Sequence, residues 1–126
     1  MKTLLTISVI FVIGGTLGWI LEFFYRRLAH GKWINPGFLT GPCLPLYGCG
    51  LLLLYGLCRF DYSFIPGRAA QIVVQLLVQT VILTAIEYVT GLIFTKVFHV
   101  KLWDYSSRPG NIGGIICPLF TLIWGA

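Results

Sequence analysis

Two glutamates stand inside apolar runs, and they are the first residues in this sequence with chemistry to offer. Glu22 lies near the end of the run from Leu4 to Phe24, and Glu87 lies deep in the run from Ala69 to Phe98. A carboxylate in hydrocarbon is costly, so it must face other helices, water or a partner. The spacing supports that placement. Gly14, Gly18 and Glu22 fall four residues apart on one helix face, where glycines let a second backbone approach. Thr80, Thr84, Glu87 and Gly91 again share one face of a helix. Arg26, one turn on, offers Glu22 an ion pair, a structural role beside a functional one. Glu87 has no basic residue within a helical turn. Desolvation favours the neutral form of a carboxyl group, so Glu87 is a candidate proton carrier or cation ligand. The plain alternative is that it only ties helices together.

Further polar groups gather in the Gly/Pro-interrupted stretches. The run Trp103-Asp104-Tyr105-Ser106 is polar and aromatic at a membrane boundary, where interfacial aromatics alone would explain the Trp and Tyr. Asp104 has a turn to cap, or Lys101 or Arg108 to bind. The candidate substrate-binding set is Glu22, Glu87, Thr84, Asn35, Tyr47, Trp103, Asp104 and Asn111. Gln71, Gln75 and Gln79 make a second polar stripe, read as interhelical hydrogen bonding or as the lining of a path. Pro45 and Pro118 each suit the first turn of a helix. A helix start inside a membrane exposes N–H groups that suit an anion or a carboxylate, or it is simply a re-entrant turn. His30 and His99 read as interfacial. No Gly-x-x-x-x-Gly-Lys phosphate loop, serine elbow or helical zinc motif occurs. Nothing in the sequence calls for a cofactor or a resident metal, and ATP hydrolysis would have to come from another chain.

The elements that position these groups follow from composition. Apolar residues make up 57% of the 126 and charged residues only 10%, against about 25% charged in a soluble domain. The natural solvent of such a surface is lipid. The net charge of +5 does not indicate nucleic acid, because the basic residues stand singly or in pairs beside apolar runs. Cys43, Cys49, Cys58 and Cys117 lack close metal or redox spacing and read as small buried hydrophobes. The chain is therefore expected to be an all-α integral membrane protein, a single transmembrane domain over residues 1–126. About four membrane segments are expected, near 4–24, 44–58, 69–98 and 112–126. Two are long spans and two are short, proline-started helices. The first run is too long for a signal core and is read as retained. The last is too short to span alone, which reads as a fragment or a half-helix. Arg26, Arg27, Lys32, Lys96, Lys101 and Arg108 stand at or beyond the ends of the long runs, against Lys2, Arg59 and Arg68 on the other side. The positive-inside rule then puts loops 25–43 and 99–111 in the cytoplasm and the N-terminus outside, as in a multi-pass plasma-membrane protein.

The two halves share a plan that reads as a parallel twofold internal repeat, with the alternative that membrane loops simply look alike. Each half has a long run with a glutamate, a basic loop with a tryptophan, a glycine-rich stretch, a cysteine–proline step and a short apolar helix. Interrupted segments at matching places in two halves point to a transport site. The strings that carry the plan are Gly18-Trp19-Ile20-Leu21-Glu22, Asn35 to Gly50, Glu87-Tyr88-Val89-Thr90-Gly91, and Trp103-Asp104-Tyr105-Ser106 with Asn111 and Gly113. From about Gly18 to the C-terminus they resemble the CmpB-type family of bacterial membrane proteins, named putative ABC-transporter type IV or ABC-transporter permease. Members commonly carry arginine where this chain has Pro36, and they usually continue beyond its end. The resemblance implies a permease-like membrane transport component working with a separate ATPase subunit. It implies no substrate. Composition makes membrane lipid a further expected partner, and the short last segment makes a second copy of the chain another. A membrane enzyme acting on a lipid or phosphorylated substrate, and a structural or regulatory subunit, are the competing expectations.

Overall fold

The computed structural model describes residues 1–125, with side chains as far as Ile123. In chain order the elements are α1 (Lys2–His30), α2 (Pro45–Cys58), α3 (Arg68–Lys96) and α4 (Pro118–Gly125). Among the described residues there is no β-strand, only an isolated antiparallel bridge between Ile112 and Ile116.

The boundaries show where local chemistry overrides the apolar pattern. α1 continues past Phe24 to His30, because Tyr25 to His30 are helix-compatible although Arg26, Arg27 and His30 interrupt the apolar run. It stops at Gly31, whose left-handed φ of 70° lets its N–H return to the Arg27 carbonyl. α2 begins at Pro45, which lacks the N–H that a first helical residue could not pair anyway. α3 ends at Lys96 rather than Phe98, and the chain turns through His99 at a φ of 54°. The largest departure concerns the last segment. Residues 112–117 are apolar but not helical, since Gly113 and Gly114 hold φ values of 61° and 69° that a right-handed helix cannot contain. The helix starts only at Pro118. Ala126, the end of the expected segment, lies outside the described residues.

α1 and α3 have 29 residues each and are apolar enough to cross a membrane. At 1.5 Å per residue each is about 43 Å long, more than a hydrocarbon core of about 30 Å. α2 at about 21 Å and α4 at about 12 Å fall short of that thickness. The chain divides into two compact units, Met1–Tyr55 and Gly56–Ala126. In both units many large apolar side chains are exposed. Leu4, Leu5, Val12, Leu17 and Leu21 of α1 are exposed, as are Val73, Leu77, Val81 and Val89 of α3. Among the described residues only Ile115 and Cys117 are buried hydrophobes. Water would penalise that much contiguous apolar surface, whereas a bilayer would not.

Candidate functional site

In the first unit, glycines bring α2 hard against α1. A Cβ on Gly48 would lie 2.7 Å from the Phe11 carbonyl oxygen, and one on Gly14 would lie 2.9 Å from the Leu51 Cβ. A Cβ on Gly18 would fall inside the base of the Tyr47 side chain. The turn before α2 is fixed by the Leu44 N–H, which donates to the Gly15 carbonyl at 2.9 Å. Cys43 fills the space in front of Gly15. This close packing delivers Tyr47 to Glu22. The Tyr47 hydroxyl donates to Glu22 Oε2 at 3.4 Å, and Arg26 Nε donates to Oε1 at 3.2 Å. Glu22 is thus the centre of a three-residue cluster built on the Gly14–Gly18–Glu22 face.

Asn35 has a different role. Its carbonyl oxygen accepts the Gly37 N–H at 3.1 Å and the Trp19 indole N–H at 2.8 Å, and its amide donates to the Leu39 carbonyl at 3.0 Å. It shapes the glycine-rich loop and ties it to α1.

The second unit repeats the principle with other parts. Glu87 is 8% exposed, the one buried charged or polar residue described. The Tyr105 hydroxyl donates to its Oε1 at 3.2 Å. Tyr105 is aimed by its neighbours: its ring stacks on Phe120 of α4 at 4.5 Å, and its backbone N–H donates to the Gly114 carbonyl at 2.8 Å. α4 packs against α3. There the Thr84 hydroxyl meets the Thr121 hydroxyl at 3.4 Å, on the same face as Glu87. One turn past Glu87, Gly91 leaves room for Ile115, and the Trp103 indole N–H donates to the Ile115 carbonyl at 2.8 Å.

Asp104 and Asn111 build the loop that carries Tyr105. Asp104 Oδ1 accepts the Ser106 N–H at 2.8 Å and also the Ser106 hydroxyl, while Oδ2 receives Lys101 Nζ at 2.7 Å. The Lys101 ammonium first, and then the two Ser106 donors, hold the Asp104 carboxyl well below the usual carboxylate range. A depressed folded-state value means that this support is present above the unfolded value and lost only as pH falls through the folded one. The loop therefore keeps its charge pair at neutral and mildly acidic pH. Asn111 donates to the Arg108 carbonyl at 2.8 Å and the Ser106 carbonyl at 3.2 Å, and accepts the Gly114 N–H at 3.0 Å.

The eight sequence candidates therefore separate. Glu22 and Tyr47 meet in one unit, and Glu87 and Thr84 share a face in the other. Trp103, Asp104 and Asn111 set the Tyr105 loop, and Asn35 sets its own. The spacing argument missed Tyr105, Thr121 and Trp19. Tyr105 lies 18 residues from Glu87, and no helical or strand period relates the two. The polar stripe of α3 is partly structural: Gln71 donates to the Ile65 carbonyl at 2.8 Å and Gln79 to Cys58 Sγ at 3.3 Å. No group of three metal-binding side chains occurs among the described residues.

A family model described as "Putative ABC-transporter type IV" matches residues 9–126. No curated protein and no solved structure matches the chain.

Proposed function

With the premise that the chain belongs to the "Putative ABC-transporter type IV" family, we propose that it is a permease-like membrane component that moves a small solute with a separate ATPase subunit. The observation that carries this reading is the pairing, in each unit, of a carboxylate on a long apolar helix with a tyrosine hydroxyl, Glu22 with Tyr47 and Glu87 with Tyr105. Polar clusters of this kind inside otherwise apolar helices serve ion or solute paths. The two clusters also support the twofold internal repeat, although their tyrosines come from different places, α2 in one unit and the loop before α4 in the other. α2 and α4 complete the four membrane segments as partial helices that begin at proline, a construction found at transport sites. Of the two carboxylates, Glu87 is the one proposed to act, because Glu22 has Arg26 as a standing counter-ion.

Purification of tagged chain from its native membrane in mild detergent tests the reading directly. A second subunit carrying a phosphate-binding loop is expected in the eluate, together with ATP hydrolysis inhibited by vanadate. An eluate free of nucleotide-hydrolysing protein under conditions that keep other transporter complexes whole would overturn it.

The orientation belongs to the same proposal. Loops 25–43 and 99–111 face the cytoplasm and the N-terminus faces out, as the basic residues indicate. Single cysteines replacing Lys32 or Ser107, in a chain cleared of its own cysteines, are expected to resist an impermeant thiol reagent in intact cells and to react after lysis. Efficient labelling of either in intact cells would invert the topology.

A further inference from the structure

The loop that leaves α1 carries charge that the carboxylate clusters do not use. Within Met1–Tyr55 the sequence has one acidic residue, Glu22, and Arg26 pairs with it. Arg27 and Lys32 remain, with His30 between them, and the unit holds no other carboxylate to oppose them.

The loop is built rather than slack. Gly31 reverses the chain at a φ of 70°, and Trp33 lands on Phe23 with ring centroids 4.8 Å apart. Phe23 stacks in turn on Trp19 at 4.8 Å, while Phe24 meets Trp33 edge-on at 6.0 Å. The Arg27 guanidinium lies 5.3 Å from the centre of the Trp33 ring and donates to the Gly31 carbonyl. Its position is therefore fixed before any ligand arrives, which lowers the ordering cost of binding. Arg27 also covers a carbonyl at the C-terminal end of α1, where the helix dipole would otherwise repel an anion. Of the five N–H donors of a guanidinium, one is used at Gly31, and both Arg27 and Lys32 are exposed. Beside them an apolar shelf is open: Leu28 is 86% exposed, Trp33 58% and Phe24 55%. This shelf continues into the exposed Leu21 and Leu17 of α1.

We infer that this surface binds the headgroup of an anionic phospholipid. Arg27 and Lys32 take the phosphate, and Trp33, Leu28 and Phe24 lie against the glycerol and the upper acyl chain. The charge requires an anion. The apolar shelf, continuous with the bilayer-length face of α1, selects a lipid over a soluble phosphate, which would gain nothing from Trp33 or Leu28. The inference rests on the membrane placement of α1 and does not depend on what solute is moved.

The test uses the full chain in a neutral maltoside detergent. Binding is read from tryptophan fluorescence and from the unfolding midpoint, as short-chain phosphatidylglycerol, phosphatidylcholine of the same chain length, or glycerol phosphate is added. Phosphatidylglycerol is expected to bind saturably and raise the midpoint, and the other two are not. Arg27→Gln with Lys32→Gln should weaken phosphatidylglycerol by at least about tenfold, from roughly a several-fold contribution per basic residue at an anionic surface. Lys2→Gln with Lys96→Gln removes the same charge elsewhere and should bind as wild type. Lys32→Gln alone leaves the aromatic stack and the Gly31 cap untouched, and it decides the matter if the double variant unfolds. Equal binding of phosphatidylcholine, or equal loss in the Lys2 and Lys96 variant, would overturn the site. Equal affinity for glycerol phosphate, or displacement of the lipid by an acidic peptide, would reassign it to a soluble partner.

Discussion

Glu87→Gln is expected to leave the protein folded and its coupling to ATP hydrolysis lost. The glutamine carbonyl can accept the Tyr105 hydroxyl in place of Glu87 Oε1, so the α3 face and the Tyr105 loop keep their contact. Hydrogen bonds between helices in membranes are worth only about 0.6 kcal/mol on average, and even complete loss of this one would move the unfolding midpoint little. What the amide cannot do is carry a proton or a charge. If Glu87 acts in transport, ATP turnover by the complex purified with its ATPase should fall at least about tenfold, or about 1.4 kcal/mol in the activation barrier. Glu22→Gln should behave in the opposite way. It removes the negative charge that Arg26 pairs with, so stability should respond more than turnover. Unchanged turnover with an unchanged midpoint would remove Glu87 from the site, and collapse of the fold would make it structural.

Gly18→Val is expected to destabilise the first unit by about 2–3 kcal/mol, near the upper range for overpacking a filled space. Adding a Cβ to a helical glycine normally helps by up to about 1 kcal/mol. Here that gain is outweighed. The new atom would overlap Cβ, Cγ and Cδ1 of Tyr47, which are the root of the side chain and not its flexible end. Tyr47 has little freedom to yield, since its N–H donates to the Leu44 carbonyl at 3.0 Å and its hydroxyl reaches Glu22. Valine also gives up part of the propensity gain through its branched Cβ. If overlap with the Tyr47 side chain is the cause, the same substitution should cost much less in a Tyr47→Gly background, which removes Cβ, Cγ and Cδ1 together. Equal costs in the two backgrounds would refute the steric account.

The apolar runs made the two long helices legible, and two prolines marked the starts of the short ones. The faces were legible in the main: Gly14, Gly18 and Glu22 pack together, as do Thr84, Glu87 and Gly91, whereas the Thr80 hydroxyl donates back to the Leu76 carbonyl of its own helix. A single helical period generates each face, and that information is local. The loops were not legible. The donors to Asn35 come from Gly37 and from Trp19, which is 16 residues away across a helix end. Tyr105 reaches Glu87 because Gly113 and Gly114 take left-handed turns and fold the loop back on itself. Those turns also explain why the apolar stretch from Ile112 does not begin the last helix. Hydrophobicity places Ile112 to Cys117 in the same class as the helix that follows. The backbone freedom of two glycines separates them. Asn35 and Asn111, two of the candidate residues, spend their hydrogen-bonding groups on the loops that carry them.

The seal around Cys117 has a kinetic consequence. Its side chain is 2% exposed, at the joint between the Tyr105 loop and α4. A thiol reagent can reach the sulfur only during excursions in which that joint parts. When reclosing is faster than the reaction, the observed trapping rate is the intrinsic rate multiplied by the fraction of time spent open. Cys117 therefore works as a stopwatch for local opening in the unit that holds Glu87. Because Phe120, the stacking partner of Tyr105, lies within one turn of it on α4, its trapping rate follows the same parting that would release the Tyr105 ring.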